Sequence, residues 1–543
     1  MKRRILLGDE AVARGAIEAG ISGAYAYPGT PSTEIFEYIK SAVEQEGLNI
    51  HTSWSTNEKV AFEEALGMSY AGRRSIVSFK HVGLNVAADP FISSSISTIH
   101  GGLVVAVADD PSMHSSQNEQ DSRYYARFAH VPCYEPSDQQ QAYWMTREAL
   151  DVSEKFGVPV MLRLVTRLAH SRSIVASSEP RAQNPASYCP DPAQWTLLPS
   201  NARRQFDLLL KKQPEFRAFS EKHSSNQLLI SGPGKPGVIA SGIAKGYVQE
   251  VLGDRLANYN LLYIGFYPLP IKLMRQLIAA SSEIWVFEDG HPLIEDLLTG
   301  EGLHDSVTVK GRTTGALPAS GELAPDVVKS AFGIPVGPGV AVPGVEKILR
   351  PRAPVLCEGC PHADTFQAIK EATSDLGDVR VMGDIGCYTL GYYKPHETLH
   401  ACICMGASIG MAAGIRHAGL QPVLCVIGDS TFTHSGLTPL IHAAQENTDM
   451  TVFILDNSIV AMTGGQPTLV SDQAMIELVA GLGVSREHIQ VIRPLPKNLK
   501  ENVEVIRREI GYAGLSVVIS RRECVTYYKE IKTAQRSREG GAQ

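Results

Sequence analysis

No apolar run in this 543-residue chain approaches the ~18 residues that a membrane-spanning helix requires. The start, MKRRILLGDE, has a basic head but only three apolar residues before Gly8-Asp9-Glu10. That is too short for the core of a secretory signal, so the segment reads as the first strand of a cytoplasmic protein. Excess positive charge is also missing: 50 Lys and Arg stand against 57 Asp and Glu, a net charge of -7, and basic residues cluster only in pairs and triplets. This weighs against a nucleic-acid partner. Cysteine is scarce, with nine in the whole chain. In a large intracellular protein these are free thiols and metal ligands, not a disulfide framework. No sequence repeat is visible. What remains is an ordinary globular composition, 44% hydrophobic and 20% charged, in a chain too long for one core. Three or four domains are expected.

Short β-branched runs alternate with segments of helical spacing: SIVSFK at 75–80, GLVVAVADD at 102–110 and VPVMLRL at 158–164, with EKVAFEEALGMSYAG among the helices. Such alternation predicts an α/β fold built on buried parallel sheets. One such domain covers 1–170. Residues 171–230, rich in Ser, Pro, Asn and basic residues, read as an irregular linker with one or two helices. A smaller middle α/β domain spans 231–333, including NLLYIGFYPLP and EIWVFEDG. A proline-rich linker at 334–354 leads to a third α/β domain at 355–525, and 526–543 read as a disordered tail.

The richest stretch is Gly428 to Gln466, GDSTFTHSGLTPLIHAAQENTDMTVFILDNSIVAMTGGQ. An apolar run ends in Gly428-Asp429-Ser430, a helical segment follows, and a second apolar run ends in Asp456-Asn457. This is a strand–helix–strand unit with polar residues at both strand ends, where open parallel sheets place their ligands. A carboxylate and an amide oxygen there suit a hard cation such as Mg²⁺, and Gly428 lets backbone approach a phosphate. Taken singly, the same residues are ordinary turn and N-cap residues.

The GDS element with Asn457 28 residues after Asp429 resembles the diphosphate–Mg²⁺ signature of thiamine diphosphate enzymes. LDNSIVAMTGGQP, GDIGCYTLG at 383–391, CMGASIGMAAG at 404–414, YPGTPSTE at 27–34, NEKVAFEEALG at 57–67, KHVGLNVAADP at 80–90 and DDPSMHSSQNEQDSRYYARFA at 109–129 narrow the likeness. Together they resemble the large (alpha) subunits of indolepyruvate ferredoxin oxidoreductases, a branch of the 2-oxoacid:ferredoxin oxidoreductases.

The resemblance implies two doubly wound parallel-sheet domains that bind thiamine diphosphate: a pyrimidine-binding domain at 1–170 and a diphosphate- and Mg²⁺-binding domain at 355–525. Asp429, Asn457 and the carbonyl of Ile459 are the implied Mg²⁺ ligands. Gly428, Ser430, Ser408, Thr463 and Gly464 line the diphosphate. Glu58 matches the carboxylate that hydrogen-bonds the aminopyrimidine, although as first-turn residue it also suits the helix dipole. Thr30 is either a plain N-cap before Pro31 or a residue at the substrate carboxylate or cofactor. His81 is either a structural histidine or an active-site one. His114, Gln117, Asn118 and Arg123 share a polar segment that looks like an active-site loop, and His362 and His434 are further candidates.

The family pattern also places a [4Fe–4S] cluster on Cys357, Cys360, Cys387 and Cys524, a set for which zinc is the competing metal. Cys133, Cys189, Cys402, Cys404 and Cys425 read as core or surface thiols. The family's usual large subunit carries two CxxCxxCxxxCP runs in a ferredoxin-like domain, and this sequence has neither. The implied activity is oxidative decarboxylation of an aryl 2-oxo acid, such as indolepyruvate or phenylpyruvate, to the aryl-acetyl-CoA. Electrons would leave through the cluster to ferredoxin or another carrier subunit. The implied assembly is a hetero-oligomer with a small (beta/gamma-type) subunit and a dimer of this chain. A non-oxidative decarboxylase or carboligase, and a catalytically inactive scaffold, are the alternatives.

Overall fold

The computed structural model describes residues 2–189, 191–300, 307–339, 342–349 and 354–533. The chain forms two compact units, Met1–Ala341 and Val342–Gln543. Most of the expected tail, 534–543, lies outside the described residues, as do 340–341 and 350–353 of the proline-rich stretch.

The first unit holds two main sheets and a two-stranded ribbon. The larger runs, in spatial order, Phe266–Tyr267, Cys133–Tyr134, Val160–Val165, Leu103–Asp109, Ser75–Lys80, Gly23–Ala26 and His51–Trp54. All its neighbours are parallel except the edge strand Phe266–Tyr267, which runs antiparallel to Cys133–Tyr134. The central strands are buried on both faces, as the unbroken β-branched runs require. The second sheet orders Thr308–Lys310, Ser281–Phe287, Lys235–Ser241, Asn260–Ile264 and Gln227–Leu229, with only the last antiparallel. The sheets do not follow the expected domain bounds: Phe266–Tyr267, from the expected middle domain, edges the large sheet, and Gln227–Leu229, from the expected linker, edges the smaller one. One apolar core, from Leu6 through Phe216 to Val309, serves both.

The stretch 171–230 is more ordered than its composition implies. Arg172–Ser177 pairs antiparallel with Lys2–Leu7 as a separate two-stranded ribbon. The first strand therefore forms as expected but outside the parallel sheet. Pro199–Ser220 is a 22-residue helix. Asn226 ties this segment down: its Nδ2 donates to the carbonyls of Ser220 (3.0 Å) and Phe266 (2.9 Å), and its Oδ1 accepts from the N–H groups of Gly265 (2.9 Å) and Phe266 (3.0 Å). One buried amide thus closes a helix end onto the edge strand of the large sheet.

The second unit is built on a five-stranded parallel sheet, ordered Arg380–Met382, Val423–Gly428, Met450–Asp456, Leu515–Arg521 and Ile489–Ile492, with a small antiparallel ribbon, Ile459–Val460 against Gln466–Pro467. Apolar clusters fill both sheet faces, one around Ile409, Leu440 and Met475, the other around Phe366, Ile369 and Ile506. Among the described residues, no helix is long and apolar enough to cross a membrane.

An Asn226→Ala protein leaves several buried backbone groups without partners, each worth about 1–3 kcal/mol. Urea denaturation of the full chain should show a lower midpoint for its first transition, while the equivalent change at exposed Gln227 should leave it in place.

Candidate active site

In the second unit the parallel strands end side by side, with Gly428 paired to Leu455 in register. The polar residues of both motifs therefore occupy adjacent strand tips. Asp429 opens a helical run that passes through a π-helical stretch, Phe432–Gly436, before continuing as Leu437–Gln445. Such π insertions accompany functional sites. The Asp429 carboxylate is buried and accepts the N–H groups of Ser430 (2.7 Å) and Ser458 (2.8 Å), so it reaches across to the second tip. Burial and the neighbouring Asp456 push its carboxyl well above the usual range. Asp456 faces the same cost but is paired with Arg521 at 2.9 Å.

Asn457 follows Asp456 and is also buried. Its Oδ1 accepts from the Ile459 N–H (3.3 Å), and its Nδ2 lies 3.4 Å from His362 Nε2. Ser458 adopts a left-handed conformation, φ 63°, which turns the chain toward Ile459. Ile459 is buried beside Cys524. Thr463 and Gly464 lie on the following turn, where the Thr463 hydroxyl donates to Gln466 Oε1 (2.6 Å) and Gln466 Nε2 returns a bond to the Thr463 carbonyl (2.7 Å). Burial pushes His362 down to about 4, and His434 lies on the π-helical stretch against Ser435.

Two residues that sequence reasoning passed over organise this end of the sheet. Asp384, inside GDIGCYTLG, is fully buried and accepts the N–H groups of Ile385 (2.9 Å), Gly406 (2.8 Å) and Ser408 (3.0 Å). It fixes the start of helix Ala407–His417 and with it Ser408. Tyr388 lies over Gly428: a Cβ on Gly428 would come within 2.6 Å of its ring. The space that a side chain at 428 would fill is taken by an aromatic ring.

The cysteines converge on the same strand tips. Cys387 is pushed up to about 12 by burial and by the thiols of Cys360, Cys524 and Cys357. Cys360 is raised by burial, with Cys357 and Cys524 adding to it. Among the described residues, no three of these sulfurs lie all within 4.8 Å of one another. A tetrahedral zinc with ~2.3 Å bonds to sulfur needs sulfurs roughly 3.8 Å apart, so this set is spread wider than a single ion requires. The Cys524 N–H donates to the Asn457 carbonyl (3.2 Å). His362, two residues past Cys360, faces Asn457, and Tyr388, next to Cys387, covers Gly428.

In the first unit, Glu58 is the first residue of helix Glu58–Tyr70, capped by Asn57, whose Oδ1 accepts the Val60 N–H at 2.9 Å. Its carboxylate is buried against Gly83, where a Cβ would meet Oε1 at 2.5 Å. The glycine keeps that space for the acid. His81 opens the short helix His81–Val86, fully buried. Its Nε2 lies 3.1 Å from the Asn118 carbonyl, while Nδ1 has no partner among the described residues.

Lys80, lowered to about 8 by burial, donates to the Ser115 carbonyl at 2.6 Å. Asp110 gathers the same loop through Ser115, Ser116 and Thr166. Thr30 is not the N-cap of the following helix; Ser32 holds that position, and the Thr30 carbonyl accepts from the Ser115 hydroxyl at 3.3 Å. Of the polar segment's candidates, Gln117 is exposed and His114 reaches Glu322 at 3.3 Å. Arg123 is not on a loop surface at all. It is fully buried, bound to Asp121 and within 3.0 Å of Glu288.

Residues 384–507 match the family described as thiamine pyrophosphate enzyme, C-terminal TPP binding domain. Residues 14–196 match pyruvate flavodoxin/ferredoxin oxidoreductase, thiamine diP-bdg. The chain is 38% identical over 551 residues to the indolepyruvate oxidoreductase subunit IorA of Archaeoglobus fulgidus, covering 97% of this chain and 87% of that one. It is 35% identical over 579 residues to the IorA subunit of Pyrococcus horikoshii, covering 99% and 87%. A solved 2-oxoglutarate:ferredoxin oxidoreductase from Magnetococcus marinus has a similar fold, with a TM-score of 0.52 at 17% identity over 61% of this chain and 65% of that one.

An Asp429→Ala protein is expected to lose Mg²⁺-dependent binding of thiamine diphosphate. Calorimetric titration should show the dissociation constant rising by on the order of a hundredfold; an unchanged affinity would remove Asp429 from the ligand set.

Proposed function

Because the chain belongs to the IorA family of indolepyruvate oxidoreductase subunits, thiamine diphosphate-dependent enzymes of the 2-oxoacid:ferredoxin oxidoreductase class, we propose that it oxidatively decarboxylates an aryl 2-oxo acid to the aryl-acetyl-CoA. The observation that carries the redox reading is the convergence of the thiols on the strand tips that hold Asp429 and Asn457. A purely decarboxylating enzyme has no use for four clustered thiols at that point, whereas an electron outlet belongs there. Four cysteine thiolates are the ligand set of a [4Fe–4S] cluster, with zinc the competing metal.

The donor set fits the implied groups. A buried carboxylate whose hydrogen bonds come from backbone N–H groups, an amide and a backbone carbonyl suit Mg²⁺ and a diphosphate. Asp429, Asn457 and Ile459 would hold the ion; Ser408, Ser430, Thr463 and Gly464 lie on the segments that would cradle the phosphates. Thiamine diphosphate, when bound, supplies the electron sink that cleavage next to a carbonyl requires.

The work of the protein's own groups follows from their surroundings. Asp384 fixes the turn that carries Ser408. Glu58, buried and backed by Gly83, would hold a proton at the pyrimidine ring nitrogen. Lys80 and His81 anchor the 110–118 loop, and with Thr30 they would face the substrate carboxylate. Residues 1–170 would serve the pyrimidine and 355–525 the diphosphate. A small subunit, coenzyme A and ferredoxin or another carrier complete the proposed reaction.

Two measurements test the reading. Glu58→Gln should retain thiamine diphosphate but slow hydrogen–deuterium exchange at its C2 by about 10²-fold or more. Gly83→Ala, which forces the carboxylate to move, should do the same to a smaller degree; wild-type exchange in both would take Glu58 out of the mechanism. Protein purified without oxygen should contain iron and acid-labile sulfide, and Cys387→Ala should lose both. An iron-free protein that still decarboxylates 2-oxo acids would favour the non-oxidative alternative.

A further inference from the structure

Helix Gly8–Glu18 and helix Thr33–Glu46 begin close to the end of the short helix Thr166–His170. A Cβ on Gly8 would fall 2.2 Å from the Leu168 carbonyl oxygen, so the backbones touch there. The contact brings Asp9, Glu34 and His170 together: one ligand atom from each lies within 4.8 Å of the others.

Asp9 is fully buried, and neither of its carboxylate oxygens has a hydrogen-bond partner among the described residues. A first-turn carboxylate ordinarily takes a backbone N–H, and Glu10 does so, accepting from Leu7 at 2.8 Å. Asp9 does not, so capping does not account for it. Glu34, whose side chain is 36% exposed, turns its inner oxygen Oε2 toward His170 Nε2 at 3.5 Å, and the pairing lowers the Glu34 carboxyl and raises the imidazole, so Asp9 alone of the three has no partner. A buried, unpartnered carboxylate beside a second acid is costly unless a cation joins them.

We propose that Asp9, Glu34 and His170 bind one divalent transition-metal ion, separate from the strand-tip site. Two carboxylate oxygens and one imidazole nitrogen suit zinc or manganese better than calcium or a thiolate-seeking ion. Metal–ligand bonds of ~2.0–2.2 Å place neighbouring ligand atoms roughly 3–3.5 Å apart, close to the spacing of Glu34 and His170. The His170 side chain is about one-third exposed, at 35%, which leaves an entry route and room for water on the ion. Acting as a clip, the ion joins the starts of two helices to the end of a third. Burial, Glu34 and Glu10 all push the Asp9 carboxyl upward, and a cation at this point offsets that cost.

Equilibrium dialysis of the full chain against Zn²⁺, followed by metal analysis, tests the site. The parent should bind one equivalent more than His170→Gln and one more than Asp9→Asn. Zn²⁺ should raise the melting temperature of the parent above any rise seen in His170→Gln. His170 is near the surface, so that variant decides the matter even if Asp9→Asn fails to fold. Equal zinc uptake by the parent and His170→Gln overturns the proposal. So does an Asp9→Asn protein that gains stability with its zinc uptake unchanged, the behaviour of two acids that merely share a proton.

Discussion

A carboxylate buried at the end of a parallel strand must find hydrogen-bond donors or a cation, and both units are organised around meeting that demand. Asp109 finds Arg163 (2.6 Å) and the Ser122 hydroxyl (2.5 Å). Asp110 collects Ser115, Ser116 and Thr166, and with Lys80 these offset its burial and hold it below the usual carboxylate range. Asp456 is held by Arg521, and Asp384 by the backbone of the next helix. Asp429, like Asp384, is met only by backbone N–H groups, but its nearest charged influence is a second acid, Asp456, which adds to the cost of its burial. Of the five it is the carboxylate that a cation would relieve most, in keeping with the proposed Mg²⁺ site.

The same demand explains how the first unit stays together. Arg123 and Arg163 are fully buried and share Asp109, Asp121, Glu135 and Glu288, while Arg163 also donates to the Asp289 carbonyl (2.7 Å). Tyr267 closes the group by donating to Glu135 at 2.5 Å. The members follow strands of both sheets, so the network ties one sheet to the other. Removing one partner of such a buried pair typically costs about 3–5 kcal/mol, because a desolvated charge is left behind. Burial pushes Glu288 up to about 7, which eases the surplus of acids over guanidinium groups near neutral pH.

Local signals were legible in the sequence; long-range ones were not. Unbroken β-branched runs marked the central strands of the sheets, because burial on both faces needs nothing beyond the run itself. The strand–helix–strand unit ending in Asp429 and Asn457 was readable for the same reason, and the words around it pointed to the family. Asp384 sat unnoticed inside a quoted motif because the N–H groups it holds are 22 and 24 residues away. Arg123 looked like a loop residue because its partners Glu135, Tyr267 and Glu288 reach it only through the fold. Thr30 and Ser32 both had the chemistry of a cap, and only the backbone distinguishes them. Arg172–Ser177 lay in a stretch whose composition suggested an irregular linker with one or two helices; its strand character comes from pairing with the far amino end of the chain.

The ring of Tyr388 against Gly428 has a consequence for how this chain can vary. Any side chain at 428 must displace an aromatic ring that is itself buried and fastened through its hydroxyl to the Ile385 carbonyl at 2.8 Å. Positions 388 and 428 are therefore bound to drift together: a lineage that enlarges one must first shrink the other. Because residue 387 precedes the tyrosine and 429 follows the glycine, such a paired change would also disturb the Cys387 thiol and the acid proposed to bind Mg²⁺.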